Sequence, residues 1–404
     1  MAWSEWRMLQ SPVGHDRRSA RHPLGRRGWL QCRAFRSWVA AVNARPRVGI
    51  IGAGFIGGVH AAAVRAAGGV VVAIADRSFE RAESFLDRGQ AARATASAAE
   101  LISADDVDVV HICTPNATHV AFVEEALCAG KHVICEKPLA TSAEAAEGLA
   151  KLAEHVGVVA AVPFVYRYYP MVREVRERVR SGDAGRLIVL HGSYLQDWLA
   201  RETDSDWRVC RAFGGASRAF GDIGVHWVDL LEFTSGQRIT RLNAQLLTVF
   251  PTRQGPDGPI GVDTEDAATV NFETDGGAIG SVVLSQVAPG RKNRILLSLD
   301  GTEACFVFDH DQPDVLWIGG RSSTQLLARS PENLRPAAAR YAKLPAGHPQ
   351  GYQDCFNAFV ADCYAAIGGK TPDGLPRFAD GVRSATITEA VLRSAASKRW
   401  VNVG

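Results

Sequence analysis

The sequence contains no run approaching the roughly 18 consecutive apolar residues that a helix needs to cross a bilayer, which excludes a spanning helix. It has no CxxC pair either. Its eight cysteines lie scattered at 32, 113, 128, 135, 210, 305, 355 and 363, several inside apolar stretches such as His111-Ile112-Cys113 and Val133-Ile134-Cys135. Such spacing reads as buried thiols of a reducing compartment, and a cytoplasmic location is expected. HExxH and compact cysteine clusters are missing, so no metal site is expected. A dominant charge is missing too, since 404 residues carry a formal +2. That total hides an imbalance: residues 1–47 hold ten arginines against two acids, +8, which leaves −6 for the remainder. An acidic body without interleaved aromatic and basic residues argues against a nucleic-acid role. Residues 1–44 have no apolar core of secretory type and read as a flexible basic leader or an early start, with the pattern of a short amphipathic helix at 28–42.

What is present is 47% hydrophobic residues in a chain long enough for two domains. Residues 45–160 are expected to form a dinucleotide-binding domain. Residues 161–404 are expected to form an α+β domain for substrate and oligomerisation, its last helices free to pack back on the first. The organising stretch is Val48–Asp76: an apolar run, a glycine turn (Gly52, Gly54, Phe55, Ile56, Gly57), a helical segment, a second β-branched run and an acid. Gly52 permits the tight turn, Gly54 close approach of backbone to a pyrophosphate, and Gly57 close packing of the helix. A lone GxGxxG also marks ordinary turns, but here both flanking strands and an acid about 24 residues on are in place. Asp76 would accept from ribose hydroxyls and repel the 2′-phosphate of NADP, so the cofactor expected is NAD. Arg77 and Ser78 would offer a phosphate pocket only if Asp76 turned aside.

Downstream, Val107–Thr114 reads as a strand ended by Pro115, and Thr114, Pro115 and Asn116 are expected along the nicotinamide ribose. His119, on the next helix, reads as a surface or packing histidine on the cofactor side rather than a catalyst. A further strand ends in Glu136-Lys137-Pro138, whose proline holds Lys137 in an extended conformation. A solvated lysine paired with Glu136 is the plain reading, and the strand-end position favours chemistry. Repeated βα units imply a doubly wound parallel sheet, the Rossmann arrangement, through about residue 160.

In the second domain, Trp198, Trp207, Arg208 and the 214–218 segment suit a sugar, whose C–H faces stack while its hydroxyls find donors; they equally suit a loop packed by tryptophans. Gly221–Leu231 reads as the start of a helix with Asp222 and His226 four apart on one face, either cap and packing residue or a reactive pair. Runs at 242–250, 267–273, 278–286, 293–299 and 303–308 predict a large, predominantly antiparallel open sheet, with Asp275-Gly276-Gly277 as a hairpin. Residues 255–261 read as a loop insertion and 309–350 as irregular. The open sheet face needs a cover, which a homodimer or homotetramer would supply. The chemistry is coherent. Oxidising a secondary alcohol with nicotinamide requires that the hydroxyl proton leave: His226 as general base, Lys137 holding the oxygen, and Asp222 orienting His226 or gathering hydroxyls.

On GIIGAGFIGGVH at 49–60, CTPNATH at 113–119, CEKPLA at 135–140 and GDIGVHWVDLLEF at 221–233, residues 45–404 resemble the Gfo/Idh/MocA oxidoreductases. HGSYLQDWL, GGASRAFGDIGVHW and LPAGHPQGYQDCFNAFV look like the branch holding levoglucosan dehydrogenase and glycoside 3-dehydrogenases. The resemblance implies that Lys137, Asp222 and His226 form the catalytic set, and that Arg167 and His348 lie near the sugar. It implies NAD-dependent oxidation, at C3, of a sugar, glycoside, anhydrosugar or cyclitol. A redox-assisted cleavage through a transient 3-keto intermediate without net NAD consumption is the enzymatic alternative. A non-catalytic NAD-binding regulatory protein is the alternative of another class.

Overall fold

Arg47-Val48-Gly49-Ile50-Ile51 is apolar on both faces beyond its first residue, the pattern of a strand covered on both sides. In the computed structural model, which describes residues 45–255 and 258–404, it forms β1 (Arg47–Ile51) inside a six-stranded sheet. The leader read at 1–44 lies outside the described residues. The sheet continues through β2 (Val70–Ala75), β3 (Ala94–Thr95), β4 (Val109–Ile112), β5 (His132–Cys135) and β6 (Ala160–Ala161). Its order is β3-β2-β1-β4-β5-β6 and every pairing is parallel. The order reverses between β1 and β4, and the loops leaving those two strands flank the crevice where doubly wound sheets bind ligands. Connecting helices begin at serine caps: the hydroxyls of Ser78, Ser97 and Ser142 accept from the N–H groups of Arg81, Glu100 and Ala145.

The described chain divides into two compact units. The first comprises residues 45–163 and 359–382, with Gly255 and Gly258. The returning segment is tied in by the Val162 N–H donating to Pro376 O at 3.3 Å and by an Ala161–Arg377 bridge.

The second unit is built on a nine-stranded sheet of β7 (Leu187–Leu195), β8 (Ile239–Leu247), β11 (Ala267–Thr274), β12 (Ile279–Ser285), β13 (Arg294–Gly301), β14 (Ala304–Asp309), β15 (Val315–Gly320), β16 (Thr324–Ala328) and β17 (Val401–Asn402). The order is β16-β15-β14-β13-β7-β12-β11-β8-β17. It is antiparallel throughout except where β7 lies parallel to β12. A separate hairpin, β9 (Thr252–Gly255) and β10 (Gly258–Gly261), replaces the expected loop insertion. Residues 309–350, expected to be irregular, supply β15 and β16, because Val315–Gly320 and Thr324–Ala328 pair with each other between the prolines rather than across them.

The helix Val225–Ser235 covers one face of this sheet, with Trp227 wholly buried and its indole N–H donating to Leu296 O at 2.9 Å. On the other face the cross-strand register lines up Asn243, Asn271, Ser281, His191, Ser298, Val307, Trp317 and Leu326. Nearby Ile279 and Val283 are 59% and 48% exposed. Among the described residues no helix is long and apolar enough to cross a membrane.

Candidate active site

The glycine turn is tight enough to reject side chains. Gly52 sits at φ +107°, and a Cβ there would stand 2.5 Å from Cys113 O. A Cβ at Gly57 would stand 2.1 Å from Gly52 O, so the helix Phe55–Ala66 presses on the turn itself. No side chain caps that helix, and its first N–H groups are presented to an anion. Asp76 closes the turn. Its Oδ2 accepts from Ala53 N–H at 2.8 Å and its Oδ1 from Ser78 N–H at 3.0 Å. Each oxygen retains a lone pair for a ribose hydroxyl. Arg77 is exposed. A glycine cradle, an uncapped helix start and a carboxylate at the end of β2 fit the diphosphate and ribose of NAD.

At the end of β4, Thr118 N–H donates to Pro115 O at 2.9 Å, and the Thr114 and Thr118 hydroxyls lie 2.7 Å apart, which fixes the Thr114-Pro115-Asn116 turn. His119 is not at the surface. It is fully buried, with Nδ1 2.8 Å from Pro138 O and Nε2 2.8 Å from Thr114 O, so one imidazole joins the loops after β4 and β5. Burial lowers its pKa despite the two carbonyls, and the neutral ring donates to only one of them.

Glu136 is buried and Lys137 half-buried. The Lys137 N–H donates to Glu136 Oε2 at 3.1 Å. Burial works to raise the Glu136 pKa, but the hydrogen bonds from His60 and the Lys137 N–H, with the Lys137 charge, outweigh it and hold the carboxyl below its ordinary value. His60 and His111, behind Glu136, were missed by sequence reasoning. The available signal was a histidine inside the Val109–Ile112 run, which is buried at every position.

In the second unit, Asp222 is not a helix cap. It lies in a π-helical turn, Phe220–Gly224, that leads into the helix Val225–Ser235. Asp222 Oδ2 accepts from Gln286 Nε2 at 2.8 Å, and Arg208 Nε stands 3.5 Å from Oδ1. Gln286, also unforeseen, is fully buried and accepts from Arg218 Nη1 at 3.4 Å. His226 is buried, edge-on to Phe164 and Tyr166 with ring centroids 5.8 and 5.0 Å away.

The expected substrate contacts are placed unevenly. Trp198 is half-buried and donates to Gln196 Oε1 at 2.7 Å. Arg208 is half-buried beside Asp206 and Asp222. Arg167 is buried with its guanidinium engaged by both carboxylate oxygens of Asp229 and stacked over Phe233. His348 is exposed, and its carbonyl accepts from Arg329.

The similarities to known proteins run over the same elements. Residues 46–164 match the oxidoreductase family with NAD-binding Rossmann fold, and residues 172–307 match the Gfo/Idh/MocA C-terminal domain. The levoglucosan dehydrogenase of Pseudarthrobacter phenanthrenivorans is 32% identical over 390 residues, covering 88% of this chain and 97% of that protein. A solved levoglucosan dehydrogenase in complex with NADH and levoglucosan superposes with a TM-score of 0.84 at 30% identity, over 89% of this chain and 100% of the other. The glucose-6-phosphate 3-dehydrogenase of Bacillus subtilis is 24% identical over 361 residues, covering 88% of this chain and 98% of that protein. With the glycine cradle, the acid after β2 and both domain matches in one continuous chain, the protein belongs to the Gfo/Idh/MocA family and is an NAD-dependent oxidoreductase.

Proposed function

We propose that the protein oxidises a secondary hydroxyl of a sugar, glycoside, anhydrosugar or cyclitol to the ketone, with C3 of a pyranose as the reacting carbon. The observation that carries this reading is near full-length similarity to a levoglucosan dehydrogenase in a chain that has Lys137, Asp222 and His226. The name of the Bacillus subtilis relative, a 3-dehydrogenase, supports C3. NAD, when bound, supplies the hydride acceptor at nicotinamide C4. His226 takes the hydroxyl proton as the hydride leaves, which balances the conversion of alcohol to ketone. The Lys137 ammonium donates to the same oxygen and stabilises its developing negative charge. Asp222, held by Gln286, gathers a neighbouring hydroxyl and orients the ring. Trp198 and Arg208 contribute an apolar face and donors to the sugar. A second copy of the chain covers the open face of the nine-stranded sheet.

The test is NADH formation at 340 nm against a panel of monosaccharides, inositols, alkyl and aryl glucosides and levoglucosan, with NAD and NADP in parallel. Activity abolished by both Lys137→Ala and His226→Ala supports the dehydrogenase. Release of an aglycone without net NADH points instead to redox-assisted cleavage. NAD binding with neither product, across a panel that includes levoglucosan, counts against the catalytic reading.

A further inference from the structure

Behind Lys137 lies a line of buried polar groups that the proposed chemistry does not use. His60, on the helix Phe55–Ala66, and His111, on β4, are both fully buried, and Glu136 is 7% exposed. The two Nδ1 atoms of His60 and His111 stand 2.9 Å apart, His60 Nε2 stands 3.1 Å from Glu136 Oε1, and Glu136 Oε2 accepts from the Lys137 N–H at 3.1 Å. These contacts connect the helix of the glycine turn, the adjacent strand and the Lys137 backbone.

The proton positions follow from what each group is able to do. An ionised carboxylate only accepts, so His60 Nε2 carries a proton. Burial, and then the neighbouring His60, push the His111 pKa well down, so His111 is neutral. The contact between the two Nδ1 atoms then has His111 donating and His60 accepting. The His111 Nε2 meets no hydrogen-bonding partner among the described residues, so a lone pair there leaves no N–H donor stranded. All three hydrogen bonds then point toward Glu136. Other titratable groups around the line are Cys113, Cys135, His119 and Lys137, which feel the Glu136 charge or act on it, and Tyr364, whose ring lies 6.5 Å from that of His111.

We propose that His60 and His111 are positioning residues for Lys137: with Glu136 they form a buried strut that fixes the carboxylate and, through it, the backbone carrying the reactive amine. The strut adds no contact to substrate or cofactor. It rests on the reading of Lys137 given above, but its own integrity is measurable without turnover.

The apo arm measures thermal midpoints from pH 5 to pH 8 for wild type, His60→Ala, His60→Gln, Glu136→Gln and His60→Ala/Glu136→Gln. In the wild type the lowered Glu136 pKa contributes stability that is present above the ordinary 4.5 and lost as pH falls through the folded value. Removing His60 takes away the largest opposition to burial, so the folded pKa of Glu136 moves up and the cost of its ionised form grows as pH rises. The wild-type to His60→Ala gap therefore widens by about 5 °C or more toward pH 8. His60→Gln, which returns an N–H to the Nε2 position, narrows the gap. In the Glu136→Gln background, removal of His60 gives a gap that is flat with pH. Should His60→Ala fail to fold, His60→Asn replaces it, since asparagine reaches only the Nδ1 position and leaves Glu136 without its donor. A gap that is flat with pH in the presence of Glu136 overturns the strut.

The turnover arm uses a sugar found active in the panel. His60→Ala lowers kcat about tenfold or more with KM for NAD within about twofold, and His60→Gln recovers most of it. A variant with unchanged kcat overturns the positioning role. A wild-type protein that oxidises no sugar sinks the reading of Lys137, and the strut is then decided by the apo arm.

Discussion

Replacing Gln286 with leucine removes the amide that holds Asp222 while keeping a side chain of similar bulk in a fully buried place. Gln286 Nε2 donates to Asp222 Oδ2 at 2.8 Å, and Arg218 Nη1 approaches Gln286 Oε1 at 3.4 Å, which settles which end of the amide faces the carboxylate. Arg218 is itself fixed: it pairs with Asp266, which also binds Arg253 Nη2 at 2.7 Å, and its Nε donates to Thr264 at 3.2 Å. Leucine therefore costs Arg218 one long contact and costs Asp222 a short hydrogen bond to a charged acceptor. Such a bond contributes about 1.5–3 kcal/mol. The Arg208 contact at 3.5 Å replaces little of it, since that side chain is 33% exposed and screened by solvent. If the whole loss falls on the transition state, kcat/KM for the sugar drops about 10-fold to 150-fold. KM for NAD stays within about twofold, because Asp222 serves the sugar. The assay is initial-rate NADH formation, with a melting curve to show that the variant is folded. A folded Gln286→Leu protein whose kcat/KM for sugar stays within about twofold of wild type refutes the role given to Asp222.

Cofactor choice gives a second test. Asp76→Ser removes the charge that repels a 2′-phosphate, and the ratio of kcat/KM for NAD over NADP is expected to fall about tenfold or more in parallel initial-rate assays; an unchanged ratio places the discrimination elsewhere. The open sheet face gives a third. Val283→Asp puts a charge on a side chain that is 48% exposed, and light scattering coupled to size exclusion is expected to show a smaller particle than wild type with an unchanged melting profile. A wild-type monomer removes the second copy from the proposal.

The first unit was legible because its signals are local. The glycine turn, Asp76, Pro115 and Glu136-Lys137 announce themselves by spacing and by the strands that end at them, and the parallel sheet follows from the βα alternation. Less was legible where partners are remote in sequence. The parallel β7–β12 pairing joins Val189 to Ile279, and nothing near either residue specifies the other. Residues 315–328 read as irregular because the prolines around them masked two short strands that satisfy each other. The π-helical turn at Phe220–Gly224 was hidden for a different reason: Phe-Gly-Asp-Ile-Gly is compatible with an ordinary helix start, and the wider turn is fixed by packing. His60 passed as the tail of a glycine motif and His111 as one residue of an apolar run. Gln286 closed a strand without a motif of its own. Asp229, which engages the Arg167 guanidinium, lies 62 residues away and carries no motif that names it as the partner.

The return of residues 359–382 to the first unit sets an order of events during synthesis. The 195 residues between Pro163 and Phe359 belong, apart from a hairpin tip, to the second unit. At about 5–20 residues per second the ribosome needs about 10–40 s to cross that interval. Until then the nascent first unit has all six strands of its sheet but not Tyr364, which lies against His111, nor Gly381, where a Cβ would stand 2.8 Å from Leu139. The strut behind Lys137 is thus sealed only after most of the second unit has been made, and a chain interrupted near residue 350 would carry a nucleotide-binding sheet with an open flank.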